Sequence, residues 1–120
     1  MTKEEKLYVK ECDCQEIQNG WKPKVGDKIA DNFPPLSDKW EITVVDKELK
    51  KGLVIQNVIF LPSLEQLIAM IGKRFYGINH EGVWSCAIND KNTWGATEYD
   101  GSTPELACIR AYKEIKKENK

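Results

Sequence analysis

The run Leu61-Pro62-Ser63-Leu64-Glu65-Gln66-Leu67-Ile68-Ala69-Met70-Ile71-Gly72 is where this sequence changes period, and its reading decides the fold. Ahead of it, residues 53–61 are rich in Val, Ile and Leu and read as a strand, which Pro62 closes. Ser63 with Gln66 three residues on has the pattern of a capping box, in which each side chain bonds the other residue's backbone N–H. Leu64, Leu67, Ile68 and Ile71 then fall on one helical face, and Gly72 supplies the stop. The spacing predicts a short helix capped at Ser63 and stopped at Gly72.

Downstream, three β segments are expected over 74–79, 83–89 and 93–99, with His80-Glu81-Gly82 and residues 89–92 as turns. Connections this short favour antiparallel neighbours, hence a meander. Period-2 alternation puts Trp84, Cys86 and Ile88 on one face of the middle strand and Ser85 and Ala87 on the other. Pro104 suits the first turn of a last helix, with Ser102 or Thr103 as its cap. Ala107, Cys108, Ala111, Tyr112 and Ile115 gather on one side of that helix, and Arg110, Lys113, Glu114 and Lys117 on the other.

Upstream, Thr2 and Glu5 form a second capping-box pair and predict a helix over 3–12. Residues 13–24 read as irregular, 24–30 as a turn entering a strand, and 31–38, with Pro34-Pro35, as a loop. Trp40, Ile42 and Val44 alternate with Glu41, Thr43 and Val45, the period of a half-buried strand, and Lys50-Lys51-Gly52 turns the chain. These strands suit a small antiparallel sheet or a partial barrel. The expected fold class is α+β: an N-terminal helix and small antiparallel β region packed on a helix–three-stranded meander–helix unit. We expect one compact domain over 1–120, with a β-rich half over 1–62 and an αβββα half over 63–118.

Composition narrows the function classes. The chain has 120 residues, 41% hydrophobic and 31% charged, ordinary globular values that need no metal or disulfide. A net charge of −1 and only two arginines, Arg74 and Arg110, disfavour a general attraction to nucleic acid or anionic lipid. The N-terminus is charged and has no apolar core of a signal peptide, and the longest apolar stretch, over 54–61, is far short of a membrane span. A cytoplasmic location is expected, and there the thiols of Cys12, Cys14, Cys86 and Cys108 stay reduced. Cys12-Asp13-Cys14 is tighter than zinc-site spacing, and Cys12, Cys14 and His80 together still lack a fourth ligand, so no metal or cofactor is expected.

The run Gly101-Ser102-Thr103-Pro104-Glu105-Leu106-Ala107-Cys108-Ile109-Arg110-Ala111 resembles the last helix of small bacteriophage and prophage proteins carrying the phage ABA-sandwich domain. Trp84 and Trp94 look like that family too, and the resemblance covers about 63–118. Glu16-Ile17-Gln18, Trp21-Lys22-Pro23-Lys24-Val25-Gly26-Asp27 and the Leu61-to-Leu67 run are similar to other phage-borne proteins of unknown role. The resemblance implies a phage or prophage origin and transfers no catalytic residue.

The sole histidine, His80, sits in the turn-like Asn79-His80-Glu81-Gly82 without a nucleophile's context, and no phosphate-loop, zincin or EF-hand pattern occurs. Enzymatic activity is not expected. Double-stranded-RNA-binding domains share the αβββα order, but where they place lysines the last helix here begins Ser102-Thr103-Pro104-Glu105-Leu106. Lys50-Lys51 and Lys116-Lys117 are isolated pairs. Most of Trp21, Trp40, Trp84, Trp94, Phe75, Tyr76 and Tyr99 are expected in the core. The sheet face away from the helices, assigned to Ser85, Thr97 and Tyr99, is expected to be covered by the N-terminal strands, with a candidate interaction face as the alternative. The expectation is a phage or prophage accessory protein that binds a host protein, for example one of antiphage defence. Two alternatives stay open: a sponge for a nucleotide-type ligand, and an RNA- or DNA-binding module. Near-zero charge and strand edges permit a homodimer.

Overall fold

Thr2 starts the first helix, as its capping pattern requires, in a computed structural model that describes residues 2–22, 24–31, 41–45, 58–91 and 93–118. Among these residues the fold is α+β, with four α-helices and two three-stranded antiparallel sheets. The chain divides into two compact units, Met1–Pro62 and Ser63–Lys120.

In the first unit, the Thr2 hydroxyl accepts the Glu5 N–H at 3.1 Å and the Glu5 carboxylate accepts the Thr2 N–H at 2.8 Å, opening α1 (Lys3–Cys12). Val9 and Cys12 are buried on its inner face, and the Tyr8 hydroxyl donates to the Pro62 carbonyl. A one-turn helix, α2 (Gln15–Gln18), follows where irregular backbone was expected. Four residues carry too weak a periodic signal to be read, and α2 is held by distant contacts. Ile17 is buried, and the Gln18 amide reaches the Phe60 backbone.

Strands β1 (Lys28–Asp31), β2 (Glu41–Val44) and β3 (Val58–Leu61) form a sheet of order β2-β1-β3, with Ala30 opposite both Ile42 and Ile59. Strand β3 is therefore an edge, and Gln18 occupies part of it. Its Nε2 donates to the Phe60 carbonyl at 3.1 Å and its Oε1 accepts the Phe60 N–H at 2.9 Å, which is how a neighbouring strand would bond. Trp21 stacks on Phe60, centroids 5.1 Å apart, and its indole N–H donates to the buried Asp27 carboxylate at 2.9 Å. That carboxylate also accepts the Lys24 N–H at 3.0 Å. Two of the runs that look phage-like, Glu16 to Gln18 and Trp21 to Asp27, thus supply one interlocked packing node.

Along β2 the expected apolar face holds at half-buried Ile42 but not at Val44, which is 56% exposed at the strand's end. Val45, just beyond, is buried instead, bonded through its backbone to Gly26 and Asp27. Asp31, expected in the loop over 31–38, instead ends β1, where it pairs with Glu41 and Val58; the rest of that loop, Trp40, the turn at 50–52 and the strand start at 53–57 lie outside the described residues.

In the second unit, the Ser63 and Gln66 capping box is present at 3.2 and 2.7 Å and opens α3 (Leu64–Ile71). Gly72, at φ 70°, ends it and leads through a 3-10 turn (Gly72–Arg74). Strands β4 (Phe75–His80), β5 (Trp84–Asn89) and β6 (Ala96–Gly101) form the expected meander, order β4-β5-β6. His80 closes β4 rather than entering the turn, because it pairs with Trp84. The third strand starts at Ala96 and not at 93. Asp90, Thr93 and Gly95 are bonded into a turn ahead of it, and pairing with β5 begins only at Asn89↔Ala96.

The last helix, α4 (Pro104–Glu118), is capped by the Thr103 hydroxyl, which accepts the Leu106 N–H at 3.1 Å. Leu106, Ala107, Cys108, Ile109, Ala111, Tyr112 and Ile115 are buried on it, as are Leu67 and Ile71 on α3 and Cys86 and Ile88 on β5. Burying each of the Leu and Ile side chains among them stabilises by about 1.5–3 kcal/mol. Gly101 lets α4 close on the sheet: a Cβ there would lie 2.5 Å from the Ala107 nitrogen. Among the described residues no helix is long and apolar enough to cross a membrane.

Candidate interaction surface

The β5–β6 connection is rich in turn formers, and Asp90 organises it. The Asp90 N–H donates to the Gly95 carbonyl at 3.0 Å. One carboxylate oxygen accepts the Thr93 hydroxyl at 3.1 Å and the other accepts the Thr97 hydroxyl at 2.6 Å. The Gly95 N–H closes the ring on the Thr93 hydroxyl at 3.2 Å. Gly95 is needed for space, since a Cβ would stand 2.9 Å from the Asp90 carboxylate. Short polar side chains that bond neighbouring backbone and side-chain groups fix such turns.

This turn holds Trp94 at its tip, where the side chain is as exposed as in an isolated residue (106%). Its indole makes no hydrogen bond or ring contact among the described residues. Tyr76 is the second exposed aromatic. Between Phe75↔Ile88 and Gly77↔Ala87 the register shifts, and Tyr76 stands in that bulge, 70% exposed. Both lie at the sheet end where the paired residues are Phe75, Ile88, Asn89 and Ala96. The expectation that most of the seven aromatics lie in the core fails: Trp94 and Tyr76 are exposed, Trp21, Phe75, Trp84 and Tyr99 are only half-buried, and Trp40 lies outside the described residues. An aromatic in a strand-like run reads as core, and only the flanking Asp90, Thr93 and Gly95 signalled a turn.

Register also divides the residues assigned to one face. Ser85 pairs with Asp100, Cys86 with Tyr99 and Ile88 with Thr97. Directly paired residues share a face, so Ser85 stands outward while Thr97 and Tyr99 stand on the side of Cys86 and Ile88. The Ser85 hydroxyl donates to the Asp100 carboxylate at 2.8 Å, which places Asp100 outward with it. Thr97 serves the Asp90 turn. Tyr99 is half-buried, and burial, then the Glu114 and Glu118 carboxylates, raises its phenol above the ordinary value of 10.0. Ser85, Thr97 and Tyr99 therefore do not form one surface.

The other candidates take packing roles. The exposed His80 ring sits 4.5 Å from Trp84. Cys12 is fully buried, and the Cys14 thiol donates to the Glu11 carbonyl at 3.6 Å. Hydrogen bonding with Cys86, then burial, pushes the Cys108 thiol up. Among the described residues no group of three or more His, Cys, Asp or Glu side chains is placed to hold a metal ion. Lys116 lies 5.5 Å over the Tyr112 ring and Lys117 pairs with Glu114 at 3.0 Å.

Compared with known protein families, curated proteins and solved structures, the chain matches none.

Proposed function

We propose that the chain is a non-enzymatic binding protein whose partner is a protein, engaged through Trp94 with Tyr76 beside it. The observation that carries this is the full exposure of Trp94 on a turn braced by hydrogen bonds from Asp90, Thr93, Gly95 and Thr97. Scattered exposed aliphatics are normal on a protein surface. A Trp is different, because it buries roughly 150–250 Å² when covered and is enriched among the residues that dominate binding energy. At about 25 cal/mol per Å², its burial in a partner releases about 4–6 kcal/mol before costs. The braced turn lowers one of those costs, since little loop ordering is left to be done on association. The resemblance to phage and prophage proteins supports a partner in the bacterial host.

A nucleic-acid partner has less support. Trp94 could stack on a base, but the nearby strand β6 carries the exposed acids Glu98 and Asp100, which repel phosphates. The test is co-purification from the host cell with the wild-type chain and with Trp94→Ala, a change that touches no other described residue. The reading expects a host protein held by the wild type and at least tenfold depleted with the variant. Equal retention by both, or retention of nucleic acid alone, would refute it.

A further inference from the structure

The register fixes what surrounds the Trp94 anchor. The outward positions running away from it along the sheet are Asn89, Ala87 and Ser85 on β5 and Ala96, Glu98 and Asp100 on β6, with Asn79 on β4 beside Ser85 at the far end. None of these is a cation, and the small side chains leave the two acids standing clear. Glu98 makes no hydrogen bond or ion pair among the described residues, and Asp100 accepts one hydroxyl, from Ser85. Three cations stand near this surface: Lys91 in the hairpin; Arg74, which donates to the Asn89 backbone carbonyl at 2.9 Å and is paired with Glu118; and Arg110, whose guanidinium reaches the Asp100 backbone carbonyl from α4 at 2.7 Å.

Strand geometry decides whether the acids and the anchor meet one partner. Six residues of extended chain from Trp94 to Asp100 span at most about 20 Å. A standard interface buries about 800 Å² on each side, a patch roughly 30 Å across. A partner centred near Trp94 therefore extends over Glu98 and approaches Asp100. An acidic partner surface is repelled there, and an apolar one strips water from a carboxylate without replacing its hydrogen bonds. From this we infer that the partner presents a protein segment in which lysine or arginine borders the apolar residues that clasp Trp94. The inference rests on Trp94 being the anchor and adds the charge of what it meets.

The probe is a random-sequence peptide library displayed on particles and selected at low salt on three full-length baits. These are the wild type, Trp94→Ala and the pair Glu98→Lys with Asp100→Lys. A fourth bait, Glu98→Gln with Asp100→Asn, keeps shape and hydrogen-bonding capacity should the charge reversals disturb the fold. The expected result is a set of peptides with Lys or Arg next to apolar residues, absent from the Trp94→Ala selection. Their binding falls about tenfold on neutralising the two acids, and falls with added salt, as charge-steered association does. Peptides lost with Trp94→Ala but showing no excess of cations, or indifferent to both acid variants, overturn the inference and leave the anchor standing. No enrichment over Trp94→Ala overturns the anchor itself, and the inference with it.

Discussion

Of the glycines among the described residues, Gly101 is the one where an added Cβ would meet the closest neighbour, so replacing it with alanine tests the packing of α4 on β6. Gly101 is buried at the end of β6, and its added Cβ would lie 2.5 Å from the Ala107 nitrogen, 2.8 Å from the Leu106 Cβ and 2.9 Å from the Leu106 carbonyl carbon. Ordinary contact begins at 3.4 Å, so the nearest atom is 3.4 − 2.5 = 0.9 Å too close. No rotamer change relieves this, because the atoms met are backbone or Cβ. Strand and helix must part. Overpacking costs about 1–3 kcal/mol, and backbone opposition puts this site near the top of that range. Reduced entropy of the unfolded chain returns about 0.4–1 kcal/mol, leaving a net loss of about 2 kcal/mol. That is roughly a thirtyfold drop in the folding constant.

Urea denaturation gives the total loss, and amide hydrogen exchange locates it. The Leu106 and Ala107 N–H groups, bonded to Thr103 at 3.1 Å each, should lose protection first. Gly82→Ala is the control: at φ 77° with nothing within 4 Å it meets no atom, and only the left-handed backbone penalises it, by about 1–2 kcal/mol. A Gly101→Ala protein within about 0.5 kcal/mol of wild type, the usual range for neutral surface changes, with unchanged Ala107 exchange would refute the close-approach reasoning.

Gln18→Leu should lower stability by about 1–3 kcal/mol in urea titration, because Phe60 loses the partners of both its N–H and its C=O. Gln18→Glu should cost more at neutral pH, with a carboxylate facing the Phe60 and Cys12 carbonyls, and recover in acid as the side chain regains a proton to donate; a loss independent of pH would contradict this. In timed alkylation followed by mass spectrometry, half-buried Cys14 should be labelled first, and Cys108 should lag because it is buried and its thiol is held protonated. The Glu5 carboxylate accepts the Thr2 backbone N–H at 2.8 Å, and that bond, with the Thr2 side chain beside it, holds its carboxyl below 4.5. Its support of α1 is therefore full above the ordinary carboxyl range and lost as pH falls through the lowered value, so an NMR titration midpoint at or above 4.5 would count against it.

The elements legible in the sequence were those specified locally. Thr2 with Glu5, Ser63 with Gln66, and Thr103 before Pro104 each act within three residues, and all three helix starts stand where these signals put them. Features set by distant residues were hidden. The one-turn α2 depends on Phe60, far away in sequence. The start of β6 depends on Asp90 bonding Thr97, which removes 93–95 from the strand. Which face Thr97 and Tyr99 occupy follows from pairing with β5, and side-chain period alone cannot supply that register. The interaction surface was missed for the same reason: Trp94 reads as core until the turn beneath it is seen.

The Gln18 amide on β3 also bears on how the chain leaves the ribosome. Phe60 lies 42 residues after Gln18, so at about 5–20 residues per second it emerges about 2–8 s later. The apolar run Val58–Leu61 would otherwise be an open edge on which a second nascent chain could template itself. Its cover has already been synthesised by then. An intruding strand must compete for Phe60 with a side chain of the same molecule, at an effective concentration that no neighbouring chain reaches. Placing the plug ahead of the edge gives vectorial synthesis a direction that guards against co-aggregation.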